Sequence, residues 1–421
     1  MEQRDRWKQL GRRLAWAAVA PLLATGVLGW SQQAAASREL SAREAIQIAL
    51  EHRPELRAGA ARTDAAFQMR KQAGAIPNPR AFYQSENLRP EMSFAGNVDT
   101  YAYVAQPLEV SGRRGARIGV AKSGVEQATL NLAMQKRDIE LAVSQAYWDA
   151  LRLAYLRGLA EESQGFYLEL LQYHQKRFDE GKVAAVDLMR IQLEYARAKT
   201  HTESSRLAEM QAMQRLAQEM GLPAAEDWKL SEKFEVLNEA RAEALADAAA
   251  EGRIEVRLAK QAVEAARANL MLQKAQGRPD LDAVFGYKRT ADNNTMLAGM
   301  QMNLPLFDRN RGGVGAAGAE VEASRALLAA AELQSASLLK LARTAYLTWK
   351  REVTELYAPM VTQSREIAQI SQSAYREGGL DLLRLLDSER LRVETQTAWA
   401  EALGNYHQSV LSLDVAAGLE P

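Results

Sequence analysis

Cysteine is absent from the 421 residues. That excludes disulfides, cysteine-based zinc sites, thiol catalysis and lipid attachment through a thiol. Histidine is scarce: His52, His174, His201 and His407 are the only four, each more than twenty residues from the next. No local histidine metal motif exists, and no cofactor or resident metal is expected. Charge of one sign is lacking too, since 53 basic residues balance 53 acidic ones. A bulk basic footprint is therefore missing, and no nucleic-acid partner is expected. Aromatics are only 7% of the chain. Beyond residue 36 no apolar run approaches the ~18 residues of a membrane helix, so no later helix spans a bilayer alone. What remains is an ordinary balance of 47% hydrophobic and 25% charged residues, which argues against wholesale disorder.

Residues 1–36 read as a secretory signal peptide. Arg4, Arg6, Lys8, Arg12 and Arg13 make a basic start, Leu14 to Trp30 is almost wholly apolar, and Ala34-Ala35-Ala36 offers small residues for cleavage. Taken instead as an anchor, the run is at the lower edge of spanning length and is interrupted by Pro21 and two glycines. An exported chain without further apolar helices can enter a membrane only through strands.

The remainder reads as one unit written twice. Arg53-Pro54-Glu55 answers to Arg253-Ile254-Glu255 and Pro79 to Pro279, both at a shift of 200. Gln106-Pro107-Leu108 answers to Leu304-Pro305-Leu306 at 198, and Ala146-Tyr147 to Ala345-Tyr346 at 199. Glu180-Gly181 answers to Glu377-Gly378 and Gly221-Leu222 to Gly418-Leu419, both at 197. The period is far too long for a solenoid, whose units are ~20–50 residues. It predicts two repeats, 41–223 and 245–421, joined by a linker at 224–244.

Each half reads as helix, hairpin, then a very long helix pair. Ser41 with Glu44 is a capping-box signature opening a helix to about Ala75, bent at Pro54; its partner runs from about Leu245 to Gln276. Strands are expected at Ala81–Leu88, Thr100–Gln106, and on either side of a turn at Ala291–Asn294. Leu281, Ala283, Phe285 and Tyr287 share one face, as do Met296, Ala298, Met300, Met302 and Leu304. Period two over about ten residues fits a membrane-barrel strand, and equally a small soluble hairpin. Proline is absent from Leu108 to Leu222, so a rod from about Gly112 to Asp179 is expected, ~100 Å long at 1.5 Å per residue. A return helix from Asp187 to Met220 follows. The second half repeats this with a rod from Gly313 to Arg376, kinked at Pro359, and a return from Leu382 to Ala417.

Four strands cannot close a barrel, because the smallest filled barrels have about eight. Open edges are not tolerated in lipid. Several copies must then share one barrel, two giving eight strands and three giving twelve.

Three segments resemble a known family: His52-Arg53-Pro54-Glu55-Leu56, Ile76-Pro77-Asn78-Pro79, and Gln106-Pro107-Leu108-Glu109-Val110-Ser111-Gly112-Arg113-Arg114. Over 41–421 the chain is similar to the TolC-type outer-membrane efflux channels, and the last segment to their cobalt–zinc–cadmium branch. The resemblance implies a mainly α fold with a small β part. It implies a homotrimer with a helical barrel, a shared twelve-stranded barrel in outer-membrane lipid, a periplasmic membrane-fusion adaptor, and an inner-membrane RND-type pump. It further implies that the hairpin turns, Gly181-Lys182-Val183-Ala184 and Gly378-Gly379-Leu380-Asp381, meet the adaptor, with Val183 and Leu380 as exposed apolar tips. Glycine also suits such a reversal with no docking role at all. In the family, acidic residues past the second turn form a gate. Asp387 matches one such position, while Arg384 stands where another aspartate is common; Asp187 is the first-half counterpart. A helix cap for Asp381 or Asp187, and a solvated face for Asp387, are the plainer readings.

Gly313-Val314-Gly315-Ala316-Ala317-Gly318 matches a dinucleotide fingerprint, but no strand follows to complete the βαβ unit it requires. The glycines read instead as close packing between strand and helix. No zinc-protease, P-loop or serine-elbow pattern is present, so no enzyme is expected. The leading expectation is a passive export duct for heavy-metal cations. A periplasmic coiled-coil scaffold, or the same duct serving drugs or peptides, is the alternative.

Overall fold

The computed structural model describes residues 38–88, 98–241, 252–290 and 292–419. The signal-peptide expectation lies outside these residues, as do the end of the expected linker and the start expected for the helix at Leu245. In chain order the elements are β1 (Arg38–Leu40), α1 (Ala42–His52), α2 (Pro54–Ala73), β2 (Arg80–Glu86), β3 (Asp99–Leu108), α3 (Arg113–Asp179) and α4 (Ala185–Glu219). Then come β4 (Trp228–Leu230), α5 (Ile254–Gln276), β5 (Leu281–Thr290), β6 (Asn293–Met302), α6 (Arg311–Arg351), a π-helical turn (Glu352–Tyr357), α7 (Ala358–Arg376) and α8 (Leu382–Ala416). No helix among the described residues is long and apolar enough to cross a membrane.

Local chemistry sets the boundaries. Ser41 caps α1 with both halves of the capping box in place, its hydroxyl accepting from the Glu44 amide. Pro54 breaks the expected first helix rather than bending it. A residue before proline is pushed out of the helical region, and Arg53 is extended at φ −66°, ψ 117°. The disturbance expected at Pro359 is a π turn just ahead of it, over Glu352–Tyr357. Proline crowds the carbonyl four residues back, and one extra residue in that turn relieves the clash. The rod α3 runs unbroken for 67 residues. Its seam is buried at Ile139, Val143, Ala146 and Ala150, while Leu153 is half-buried.

Four strands form one antiparallel sheet in the order β2-β3-β5-β6. The turn between β5 and β6 is tighter than expected, and Asn293 and Asn294 belong to the strand. β1 and β4, unforeseen in the sequence, pair separately in a two-stranded sheet.

The main core is a belt where both halves meet the segment between them. Tyr147, Leu216, Tyr346, Leu403 and Tyr406 are fully buried there, with Trp228 and Phe234 of the connecting segment. That segment is no loose tether. The Tyr406 hydroxyl donates to the Asn238 carbonyl at 2.7 Å, the His407 ring to the Phe234 carbonyl at 2.9 Å, and the Tyr147 hydroxyl to Glu232. Trp148 stacks on His407 with ring centroids 3.9 Å apart. Burial pushes the His407 imidazole down to about 4.

Candidate functional site: the open-edged sheet and the hairpin tips

Residues directly opposite each other across a strand pair share a face. The register therefore places Ala81, Val104, Phe285 and Ala298 in one row, and Tyr83, Ala102, Tyr287 and Met296 in the next. Leu281, Ala283, Met300 and Met302 continue that face. It is apolar and turned outward: Phe285 is 60% exposed, Met296 70% and Met300 75%. The opposite face carries Arg80, Gln84, Glu86, Asp99, Asp282 and Lys288. Arg80 pairs there with Asp282, and Phe82 stacks on Tyr103 at 4.9 Å. The sheet is largely apolar on one side and carries most of its charge on the other. β2 and β6 each have one unpaired edge. Tyr101 and Tyr103 share that second, more charged face, opposite Gln84 and Phe82.

At the other end, α3–α4 and α7–α8 are hairpins with matching reversals. Gly181 (φ +72°) and Gly378 (φ +80°) hold the left-handed conformation that only glycine enters freely. The Lys182 amide reaches the Arg177 carbonyl at 2.8 Å and the Gly379 amide reaches that of Ala374 at 2.8 Å, closing both helix ends as Schellman turns. Gly379 itself is outside the left-handed region. Lys182 pairs with Glu180 at 2.8 Å in solvent.

Two expectations about these tips need correction. Val183 and Leu380 are half-buried, not exposed. Leu380 packs on a small core of Tyr167, Leu170, Ile191, Leu385 and Leu386, which holds the hairpins together. The exposed apolar side chains lie one turn further on, at Val186 (67%) and Met189 (65%). Asp187 is not a helix cap. It sits half-buried in the first turn of α4, behind Ala184 at the cap position, and acts electrostatically on His174 and Tyr375. Asp381 is the cap of α8, accepting from the Arg384 amide at 2.9 Å.

Arg384 and Asp387 lie three residues apart on one exposed strip of α8, with Arg390 and Glu394 further along. The strip alternates in sign rather than forming an acidic ladder. Arg384 leans on Asp381 at 3.6 Å, and Asp387 has no ion-pair partner among the described residues.

Two buried polar clusters lie nearby that sequence reasoning missed. His174, 2% exposed, donates from Nδ1 to the Leu170 carbonyl at 2.9 Å, which leaves Nε2 to accept from the Tyr375 hydroxyl at 2.6 Å. This bond ties the first hairpin to the second. Burial lowers the His174 pKa and raises that of Tyr375. Further along α8, Arg392 grips Glu389 with two bonds of 2.9 and 2.7 Å and reaches Glu162 on α3 at 3.3 Å. Burial, with Glu389 close by, pushes the Tyr167 hydroxyl up to about 12. The i, i+3 spacing of Glu389 and Arg392 was the one available signal. Of the fingerprint glycines, only Gly313 is tightly packed, since a Cβ there would meet Asn310 and Gln273; Gly315 and Gly318 face open space. No cluster of three metal-ligating side chains occurs among the described residues.

A family model described as outer membrane efflux protein matches residues 45–222 and 245–419. The cobalt-zinc-cadmium resistance protein CzcC of Cupriavidus metallidurans is 24% identical over 91% of each chain. The nickel and cobalt resistance protein CnrC of the same organism is 29% identical over 69% of each. In shape, the open state of the MtrE outer membrane channel of Neisseria gonorrhoeae superposes with a TM-score of 0.75 at 18% identity, covering 90% of this chain and 89% of that one.

Proposed function

The chain belongs to the outer membrane efflux protein family, and from that premise we propose that three copies form one passive export duct for divalent metal cations. Its place is the outer membrane, and its work is transport rather than catalysis. The carrying observation is the open-edged sheet with one apolar face. Lipid leaves no edge unpaired, so β6 of each copy pairs with β2 of the next, and three sheets of four close as twelve strands. The helical hairpins then ring into a tube on the periplasmic side. On this reading residues 1–36 are removed on export, and 41–223 and 245–421 are the two repeats.

The tube does no chemistry. An inner-membrane RND-type pump supplies energy, and a periplasmic adaptor grips the tips around Gly181, Lys182, Val183, Gly378, Gly379 and Leu380. Asp387, Arg384 and Asp187 form the constriction. Threefold repetition brings the exposed Asp387 carboxylates round one axis, where they attract cations and repel one another. The metal cargo is supported by the names of the relatives in Cupriavidus metallidurans. The test is deletion of the gene in its host. Loss of growth in cobalt, zinc or cadmium, restored by the intact gene, supports the proposal. Unchanged metal tolerance with new sensitivity to drugs or peptides reassigns the cargo.

A further inference from the structure

The duplication extends to the strand register, and the register inside one chain shows how two chains meet. Shifting β2 by 200 residues and β3 by 198 turns the observed pair Ala81↔Val104 into Leu281↔Met302, which is the observed β5–β6 pair. The two hairpins are thus copies in register as well as in order. The helices after them start alike: Gly112 before α3 and Asn310 before α6 both cap in the left-handed region, again 198 apart. Between the copies lies one internal seam, β3 against β5, with Leu108↔Leu281 and Gln106↔Ala283 opposite. Arg113 locks that seam. Its guanidinium donates to the carbonyls of Ala275 (3.3 Å), Gln276 (2.8 Å) and Arg278 (3.0 Å) and pairs with Asp280 at 3.2 Å.

We propose that the seam between protomers repeats this internal one, with Leu306 of one copy opposite Ala81 of the next, Leu304 opposite Tyr83, and Arg311 in the place of Arg113. This rests on the trimeric reading above, and names the surface that reading requires. The same two shifts, applied to Leu108↔Leu281 and Gln106↔Ala283, give these pairs. On the β2 side they conserve the faces, since Tyr83 and Ala81 belong to the apolar side; Leu304 and Leu306 follow β6, which ends at Met302 in the single chain, and the pairing extends that strand in the assembly. The side chains on both edges are uncovered in the single chain: Leu304 is 56% exposed, Leu306 63%, Tyr83 69% and Ile76 66%. Arg311 is exposed and has no hydrogen-bond or ion-pair partner among the described residues. Its targets by the same shift are the carbonyls of Ala75, Ile76 and Asn78, in the segment between α2 and β2. Nothing among the described residues donates to those of Ile76 and Asn78. The sequence departs in one place: Arg80 stands where Asp280 stands inside the chain, so the carboxylate half of the lock is not repeated. Backbone carbonyls need no particular side chain, and that half remains.

The lack of cysteine makes the register directly testable. Leu306→Cys with Ala81→Cys in the full-length protein, oxidised in outer-membrane vesicles, is expected to give a covalent dimer and trimer ladder on non-reducing gels. Each single variant gives none. Arg311→Ala is expected to lower the temperature at which the detergent-extracted trimer falls to monomer, with Arg311→Lys recovering part of the loss. A trimer that cross-links only through a pair shifted by two or more residues, such as Met302→Cys with Ala81→Cys, overturns the register while the trimeric reading stands. A detergent-extracted monomer overturns both.

Discussion

His407 shows how a single residue carries the packing of the belt. It is held neutral between Trp148 and Phe234, with its folded pKa pushed down to about 4 from an ordinary 6.5. The unfolded chain therefore takes up a proton that the folded chain refuses. The belt's stability is full above pH 6.5 and is lost as the pH falls from there towards 4, by roughly 3 kcal/mol. Urea unfolding in mild detergent at stepped pH should show that loss, and His407→Gln should flatten it. A single-residue prediction of another kind concerns Asp387. Asp387→Ala removes an exposed carboxylate from each subunit, and block of the isolated channel by divalent cations should weaken about tenfold, or ~1.4 kcal/mol. Unchanged single-channel block would place the constriction elsewhere. Residue types were legible in the sequence where backbone geometry demanded them, as at Gly181 and Gly378. The His174–Tyr375 tie was not, because its two members are 201 residues apart and only packing brings them together.

Among elements, the α3 rod was the most readable, because an unbroken proline-free stretch with a buried seam has few other solutions. Helix breaks were less so. Proline at 54 and at 359 announced a disturbance, but its form depended on what the neighbouring turn could absorb: an extended residue in one case, a π turn in the other. The tips illustrate the same limit. Periodicity marks Leu380 as apolar near a turn, and only the packed structure shows it committed to the small core under the hairpins. Docking is therefore best tested one turn on. Val186→Glu should abolish export while the trimer still assembles, because Val186 is 67% exposed and belongs to no buried core cluster among the described residues. Leu380→Glu should instead lower the stability of the hairpin pair by about 2–4 kcal/mol. Normal export by the Val186 variant would remove the tip from the adaptor surface.

For the whole molecule, what the sequence offers is a set of landmarks that recur in order over most of its length. The connection between the halves was not legible there. A stretch that reads as a linker is stitched into the belt by Glu232, Phe234 and Asn238, which ties α3 and α8 to one core. The faces of β5 and β6 could be read from alternation alone, but those of β2 and β3, and the alignment across four strands, required the register. That alignment leaves a four-stranded sheet with an unpaired edge on each side. The most direct test of a shared barrel is the mass of the particle extracted from outer membranes in detergent, measured by light scattering with the detergent subtracted. Three chains per particle are expected, and a single chain that stays in solution without detergent would contradict the shared barrel and everything built on it.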